Sequence, residues 1–266
     1  MKKFQFRYKS IMESEGRMYE DVKNILINTG MGRRRINSIM VAISEAFTNA
    51  LIHGNNLNPD KSIEIRLTVN DKEINADIID EGEGFNAAAP GRDTPELLSE
   101  GGRGVGLMRS MADDIRFYRE EQNGGMIISM RFLRNNDGEK ENKKSDLEGK
   151  MDIQRTDAGN VIIISLTGRM DLNSGNQLKE EVKSVLVSGK TSIHLNLKNV
   201  EFVNSSGLGA LVSIMKEVRI HRGRLTLSDM ADYVREIFDI TQLSHIFEIF
   251  PSEEEAMHSY QAAVPN

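Results

Sequence analysis

Hydrophobic and polar residues follow two different rhythms along the 266-residue chain. The first half opens on an alternating stretch, Phe4 to Lys9, with the period-two pattern of a strand. Helical periods follow at about Ser10–Asn28 and Arg33–His53. In the second of these, Ile36, Ile39, Met40, Ile43, Phe47, Ala50 and Leu51 recur at the spacing of one buried helix face. Strand patterns return at Ser62–Val69 and Ile74–Asp80, and a loop rich in Gly, Pro and Ala runs over Glu81–Arg103. A short helix at Val105–Ala112 then leads into a hairpin, Ile115–Glu120 and Met126–Leu133, turned by Asn123-Gly124-Gly125. Helices followed by a mostly antiparallel sheet predict an α/β unit of the α+β two-layer sandwich kind.

The second half alternates strand and helix. Strands are expected at Val161–Leu166, Ser192–Leu197 and Arg224–Ser228, with helices at Ser174–Val187, Ser206–His221 and Tyr233–Phe238. This pattern predicts a second α/β domain, a sheet with helices laid on it. Between the halves, 134–150 reads RNNDGEKENKKSDLEGK, with ten charged residues of 17 and Leu147 as its only large apolar side chain. Such a segment buries too little surface to offset the entropy of ordering, so a flexible linker is expected. The chain therefore divides into 1–133, a tether at 134–150, and 151–266. The tether spans at most about 56 Å extended and roughly 23 Å on average if flexible.

Composition narrows the chemistry. There is no Cys, which removes disulfides, thiolate nucleophiles and Cys-ligated metal centres. The net charge of −6 resolves into −2, 0 and −4 for the three segments, so no part carries the basic stripe of a nucleic-acid binder. The charged N-terminus has no apolar segment behind it, and the longest apolar runs are strand-sized, so no membrane association and a cytoplasmic location are expected.

Three separated patterns in the first half carry candidate chemistry. Glu45 and Asn49 lie four apart on the second helix and share a face, and a carboxylate beside an amide oxygen suits Mg2+. Asp80-Glu81-Gly82-Glu83-Gly84 ends a strand with an acid that can accept from an exocyclic amine. Its glycines would let a flat base approach the backbone. Gly101-Gly102-Arg103-Gly104-Val105-Gly106 opens a helix whose free N–H groups and dipole favour a polyphosphate. Each is weak alone. No GxxxxGK[ST] pattern occurs, which excludes the P-loop class.

In this order, ExxxN, DxGxG and GxGxG resemble the N, G1 and G2 boxes of the GHKL (Bergerat-fold, HATPase_c) ATPase and kinase superfamily. SEAFTNALIHGN and GGRGVGLMRSMADDIRF are more closely similar to the bacterial anti-sigma factor serine kinases, over about residues 5–133. The resemblance implies ATP and Mg2+ as cofactors and a role for each matching position. Glu45 would be the general base, Asn49 the Mg2+ ligand, and Asp80 the reader of adenine. Gly82 and Gly84 would border the base, while Gly102, Gly104, Val105 and Gly106 would wrap the phosphates beneath a lid at about 86–103. Arg103 would add charge to the phosphates or lie exposed in the lid. Histidine kinases carry the same boxes but need a phosphoacceptor His on a preceding helix. The first half has only His53, inside the N box, which suits packing or hydrogen bonding.

In the second half, Asn204-Ser205-Ser206-Gly207 follows a strand and opens a helix, where Asn or Ser is a natural cap. IISLTGRMDLNSGNQL, LNLKNVEFVNSSGLGALV and the strand at Gly223–Ser228 together resemble a STAS domain of the anti-sigma factor antagonist type, over roughly 151–262. In that family the serine before the first Gly is phosphorylated, which points to Ser206. The family usually has Asp two residues earlier; here Asn204 removes that charge but keeps a helix cap. The two resemblances together imply a Mg·ATP-dependent serine kinase of a partner-switching system, fused to an antagonist-like domain. Its expected partners are a STAS antagonist in cis or trans, a sigma factor or similar target, a PP2C-type phosphatase and a second copy in a homodimer. The competing expectation is a non-catalytic nucleotide-binding adaptor whose STAS half signals.

Overall fold

The computed structural model describes residues 1–82, 103–119, 124–134 and 151–262. The chain forms two compact units, Met1–Asp146 and Leu147–Asn266. The predicted tether lies outside the described residues except for Arg134, whose guanidinium donates to the carbonyls of Asn70 and Thr29 and so fastens it to the first unit.

The first unit runs β1 (Lys2–Lys9), α1 (Ser14–Ile27), α2 (Arg33–Asn49), β2 (Ser62–Val69), β3 (Glu73–Ile79), α3 (Arg103–Met111), β4 (Asp114–Arg119) and β5 (Met126–Leu133). Its five strands form an antiparallel sheet in the order β1-β2-β3-β5-β4. Alternation decides the faces: Ile63, Ile65 and Leu67 of β2, Ile74, Ala76 and Ile78 of β3, and Ile128, Met130 and Phe132 of β5 point into the core. Their neighbours Glu64, Arg66, Asp77 and Ser129 line the other face, where Ser129 bonds Asp77 across the register. The three helices cover the apolar face, with α2 between α1 and α3. The expected stripe of α2 is buried from Ile36 through Phe47. This is the two-layer sandwich the pattern predicts. Helix α1 begins at Ser14 rather than Ser10, because residues 10–13 form a turn in which the Ser14 N–H reaches the Ile11 carbonyl.

The second unit contains β6 (Asp152–Ala158), β7 (Val161–Met170), α4 (Leu172–Val187), β8 (Ser192–Val203), α5 (Ser205–Ile220), β9 (Arg224–Ser228), α6 (Asp232–Ile240), β10 (Glu248–Phe250) and α7 (Glu253–Ala262). The sheet order is β10-β9-β8-β7-β6, parallel except for the antiparallel edge strand β6. Helices α4 and α5 pack on each other at close range: a Cβ added at Gly175 would lie 2.7 Å from that of Ala210. Among the described residues no helix is long and apolar enough to cross a membrane.

Candidate functional site

Helix α2 carries Glu45 and Asn49 on one face, Glu45 buried at 1% exposure and Asn49 half-buried in the last helical position. Past Asn49 the chain widens into one π-helical turn, Ala50–Gly54, closed by the Asn55 N–H on the Ala50 carbonyl at 2.8 Å. Single π turns accommodate an extra residue at the cost of poorer geometry and occur frequently at functional positions. This turn delivers Gly54 to the end of β3, where Asp80 follows the strand. A Cβ at Gly54 would lie 2.4 Å from Asp80 Oδ2, so only glycine allows that approach.

Asp80 is 5% exposed. Its Oδ1 accepts from the backbone N–H of Gly82 at 2.9 Å and of Met126 at 3.1 Å, while its own N–H donates to the Met126 carbonyl at 3.0 Å. Burial raises the carboxyl above its ordinary range, against the two N–H bonds and the charge of Lys61. Backbone crowds the residue on further sides: a Cβ at Gly125 would lie 1.9 Å from the Asp80 carbonyl, and one at Gly82 would lie 2.2 Å from the Gly54 carbonyl. Asn55 braces this corner, its Oδ1 accepting from the Glu81 N–H and its Nδ2 donating to the Ser62 carbonyl, each at 2.9 Å. The Ser62 hydroxyl in turn donates to Glu81 at 2.6 Å.

Helix α3 starts at Arg103, inside the Gly-rich stretch, and packs against α2, with Leu107 and Met108 buried. Gly104 is buried, Val105 half-buried and Gly106 exposed. The structure thus brings the end of α2, the start of α3 and Asp80 into one unit. Gly84, Gly102, the side chain of Arg103 and all of the lid expected at about 86–103 except the Arg103 backbone lie outside the described residues. For Mg2+ the donor chemistry fits: one half-buried amide oxygen suits an ion that takes most of its shell from phosphates and water. Among the described residues no group of three His, Asp or Glu side chains could hold a metal by itself.

Sequence reasoning missed Gly54, Gly125 and Asn55. Gly125 reads as a hairpin residue, and nothing in a turn signal tells that it abuts an acid 45 positions earlier. Gly54 and Asn55 stand at the end of the N-box stretch, which is the signal that could have found them.

In the second unit, Asn204 is fully buried and caps α5, its Oδ1 accepting from the Gly207 N–H at 3.0 Å. Its own N–H donates to the Met170 carbonyl at 3.2 Å, tying the helix start to the end of β7. Gly207 makes that contact possible, since a Cβ there would lie 2.3 Å from the same carbonyl. Ser206 is half-exposed at the second residue of α5, in the positive end of the helix dipole. Next to it, α4 is capped by Asp171, which forms a capping box with Ser174 and a buried ion pair with Arg169.

Residues 13–132 match the histidine kinase-like ATPase domain family, and residues 152–256 match the STAS domain family. Over 112 residues the chain is 31% identical to the serine-protein kinase RsbW of Oceanobacillus iheyensis, covering 39% of this chain and 70% of that one. Over 95 residues it is 30% identical to the anti-sigma-B factor antagonist of Bacillus subtilis, covering 36% of this chain and 86% of that one. The anti-sigma F factor of Clostridium perfringens (strain SM101) is 28% identical over 131 residues, 47% of this chain and 93% of that one.

Proposed function

The chain belongs to the anti-sigma factor and anti-sigma factor antagonist families, a histidine kinase-like ATPase domain continued by a STAS domain, and on that premise we propose that it is a Mg·ATP-dependent protein serine kinase of a partner-switching system. The observation that carries this is the pairing of Asp80, buried and held by backbone N–H groups, with Glu45 and Asn49 on one face of the helix that leads to it.

Asp80, already fixed through Oδ1, would accept the adenine amine, with Gly82 and Gly84 bordering the ring. Backbone N–H groups around Gly102, Gly104, Val105 and Gly106, at the positive end of α3, would receive the phosphates together with Arg103. Asn49 would hold Mg2+, whose chemistry is to neutralise phosphate charge. Glu45 would take the proton of an incoming serine hydroxyl as its oxygen bonds the γ-phosphorus and the bond to the ADP oxygen breaks. Such transfer depends mainly on positioning and charge neutralisation.

Ser206 is the proposed acceptor, in cis or on another copy. Phosphorylation would place about −1.5 to −2 charges at a helix N-terminus that tolerates them, while repelling an acidic docking face. A sigma factor or similar target, a PP2C-type phosphatase that resets Ser206 and a homodimer complete the proposal. It is tested by incubating the full chain with Mg·ATP and mapping phosphosites. Incorporation at Ser206, abolished in Ser206→Ala and reduced at least about 100-fold in Glu45→Ala, is the expected outcome. A wild-type chain that phosphorylates neither itself nor a separate STAS domain would leave the adaptor reading in its place.

A further inference from the structure

The core stripe of α1 is formed by Met18, Tyr19, Val22 and Leu26, all at 2% exposure or less. Carried back one turn, the same stripe reaches Glu15, a carboxylate at 3% exposure where the period calls for an apolar side chain. Burying a carboxylate is unfavourable unless its oxygens are satisfied. Here Oε1 accepts from the hydroxyl of Ser44 at 3.3 Å and from that of Thr48 at 3.1 Å. Helical Ser and Thr hydroxyls commonly bond the carbonyl four residues back; these two reach across to another helix.

Ser44 and Thr48 immediately precede Glu45 and Asn49. Successive helical residues are turned by about 100°, so one pair faces α1 while the other is presented about 100° around the same helix. Two donors one turn apart on one acceptor fix both the rotation of α2 about its axis and its height against α1. An apolar side chain at position 15 would fill the space but set neither. We propose that Glu15 is a positioning residue, which holds α2 in the rotation that presents Glu45 and Asn49 to nucleotide. This rests on the kinase reading for what Glu45 and Asn49 do; the contact itself does not.

The test compares the full-length wild type with Glu15→Leu and Glu15→Gln. Leucine restores the apolar stripe and removes a buried charge, and the two hydroxyls it leaves behind can turn to carbonyls one turn back on their own helix, so the melting temperature should hold. At the same time kcat for phosphorylating a separate STAS domain should fall at least about tenfold, and the gain in ATP affinity on adding Mg2+ should shrink by a similar factor. Glutamine, which keeps an acceptor oxygen, should bring both back to within about threefold. A purely structural role predicts the opposite pairing, stability and activity falling together and glutamine giving no rescue. A folded Glu15→Leu chain with wild-type kcat and Mg2+ dependence overturns the inference. Should that variant not fold, Thr48→Val decides: a loss of about threefold or more in kcat or in the Mg2+ effect supports it, and no loss in either overturns it. A wild type that transfers no phosphate sinks the kinase reading alone, and the Mg2+ dependence of ATP affinity then settles the role of Glu15 either way.

Discussion

Asp80 is enclosed on several sides by backbone, with glycines at 54, 82 and 125 where any side chain would collide. Ser206 is half-exposed, and the close packing lies one residue further on, at Gly207. Asn204 keeps its amide buried on the Gly207 N–H and leaves the residue two positions later half-exposed. A pocket for a small planar ligand has to be formed before the ligand arrives, because ordering it on binding would weaken affinity. An acceptor has to be rigidly placed yet reachable by another protein. In the roles proposed for them, Asp80 and Ser206 would meet those demands by crowding of the residue itself in one case and of its neighbour in the other.

The comparison breaks most severely at the glycines. Gly125→Ala forces a Cβ to 1.9 Å from the Asp80 carbonyl, and Gly207→Ala forces one to 2.3 Å from the Met170 carbonyl. Each should lose about 3 kcal/mol. Calorimetry should place the loss in different transitions, the first unit for Gly125→Ala and the second for Gly207→Ala. Only Gly125→Ala should also weaken ATP binding at least about tenfold. Equal weakening by both would show that the crowding at Asp80 has no special bearing on nucleotide.

Much of this architecture is legible from the sequence. The stripe from Ile36 to Leu51 identifies α2, and the alternation of β2, β3 and β5 identifies the sheet. Strand β6 escapes because it is an exposed edge strand, DIQRTDA, whose charges guard its free side and erase the apolar alternation. β10 is three residues long, too short for any period. Glu15 escapes for a different reason: a charged residue in the first turn of an amphipathic helix reads as solvated, and only the packing of α1 on α2 reveals it as buried. Position along the chain is legible; convergence across it is not.

A smaller effect separates what Asp80 does for the fold from what it would do for a nucleotide. Its raised carboxyl means the ionised form is disfavoured in the folded chain, so the charge is held at some expense of stability above the ordinary aspartate range. Asp80→Asn keeps an oxygen for the Gly82 and Met126 N–H groups and removes the charge. The ligand-free melting temperature at pH 7 should therefore hold or rise, while ATP affinity, measured by calorimetric titration, should fall at least about tenfold, about 1.4 kcal/mol. A variant that loses stability along with affinity would make Asp80 a structural residue first.

The smallest effect lies in the second unit, where burial acts on a base. His194 is fully buried, Nδ1 against the Thr226 hydroxyl at 2.8 Å and Nε2 against that of Ser228 at 2.9 Å. The chain of bonds continues from Thr226 to the Tyr260 hydroxyl of α7, and from Ser228 to Asp229, which accepts the Glu253 N–H at the start of α7. Burial lowers the imidazole from its ordinary value of 6.5, with the charges of Glu253 and Asp229 opposing. A base whose folded value is depressed contributes stability that is fully present above 6.5 and is lost as pH falls below it, because the unfolded chain then binds the extra proton. The transition of the second unit should accordingly move to lower temperature as the pH is taken from 7.5 to 5.5, as followed by calorimetry. His194→Gln should melt lower at pH 7.5 yet lose less on acidification. Glu253→Gln should steepen the wild-type slope, since it removes a charge that favours the imidazolium. A slope unchanged in both variants would assign the acid sensitivity to other groups and leave His194 as a packing residue under α7.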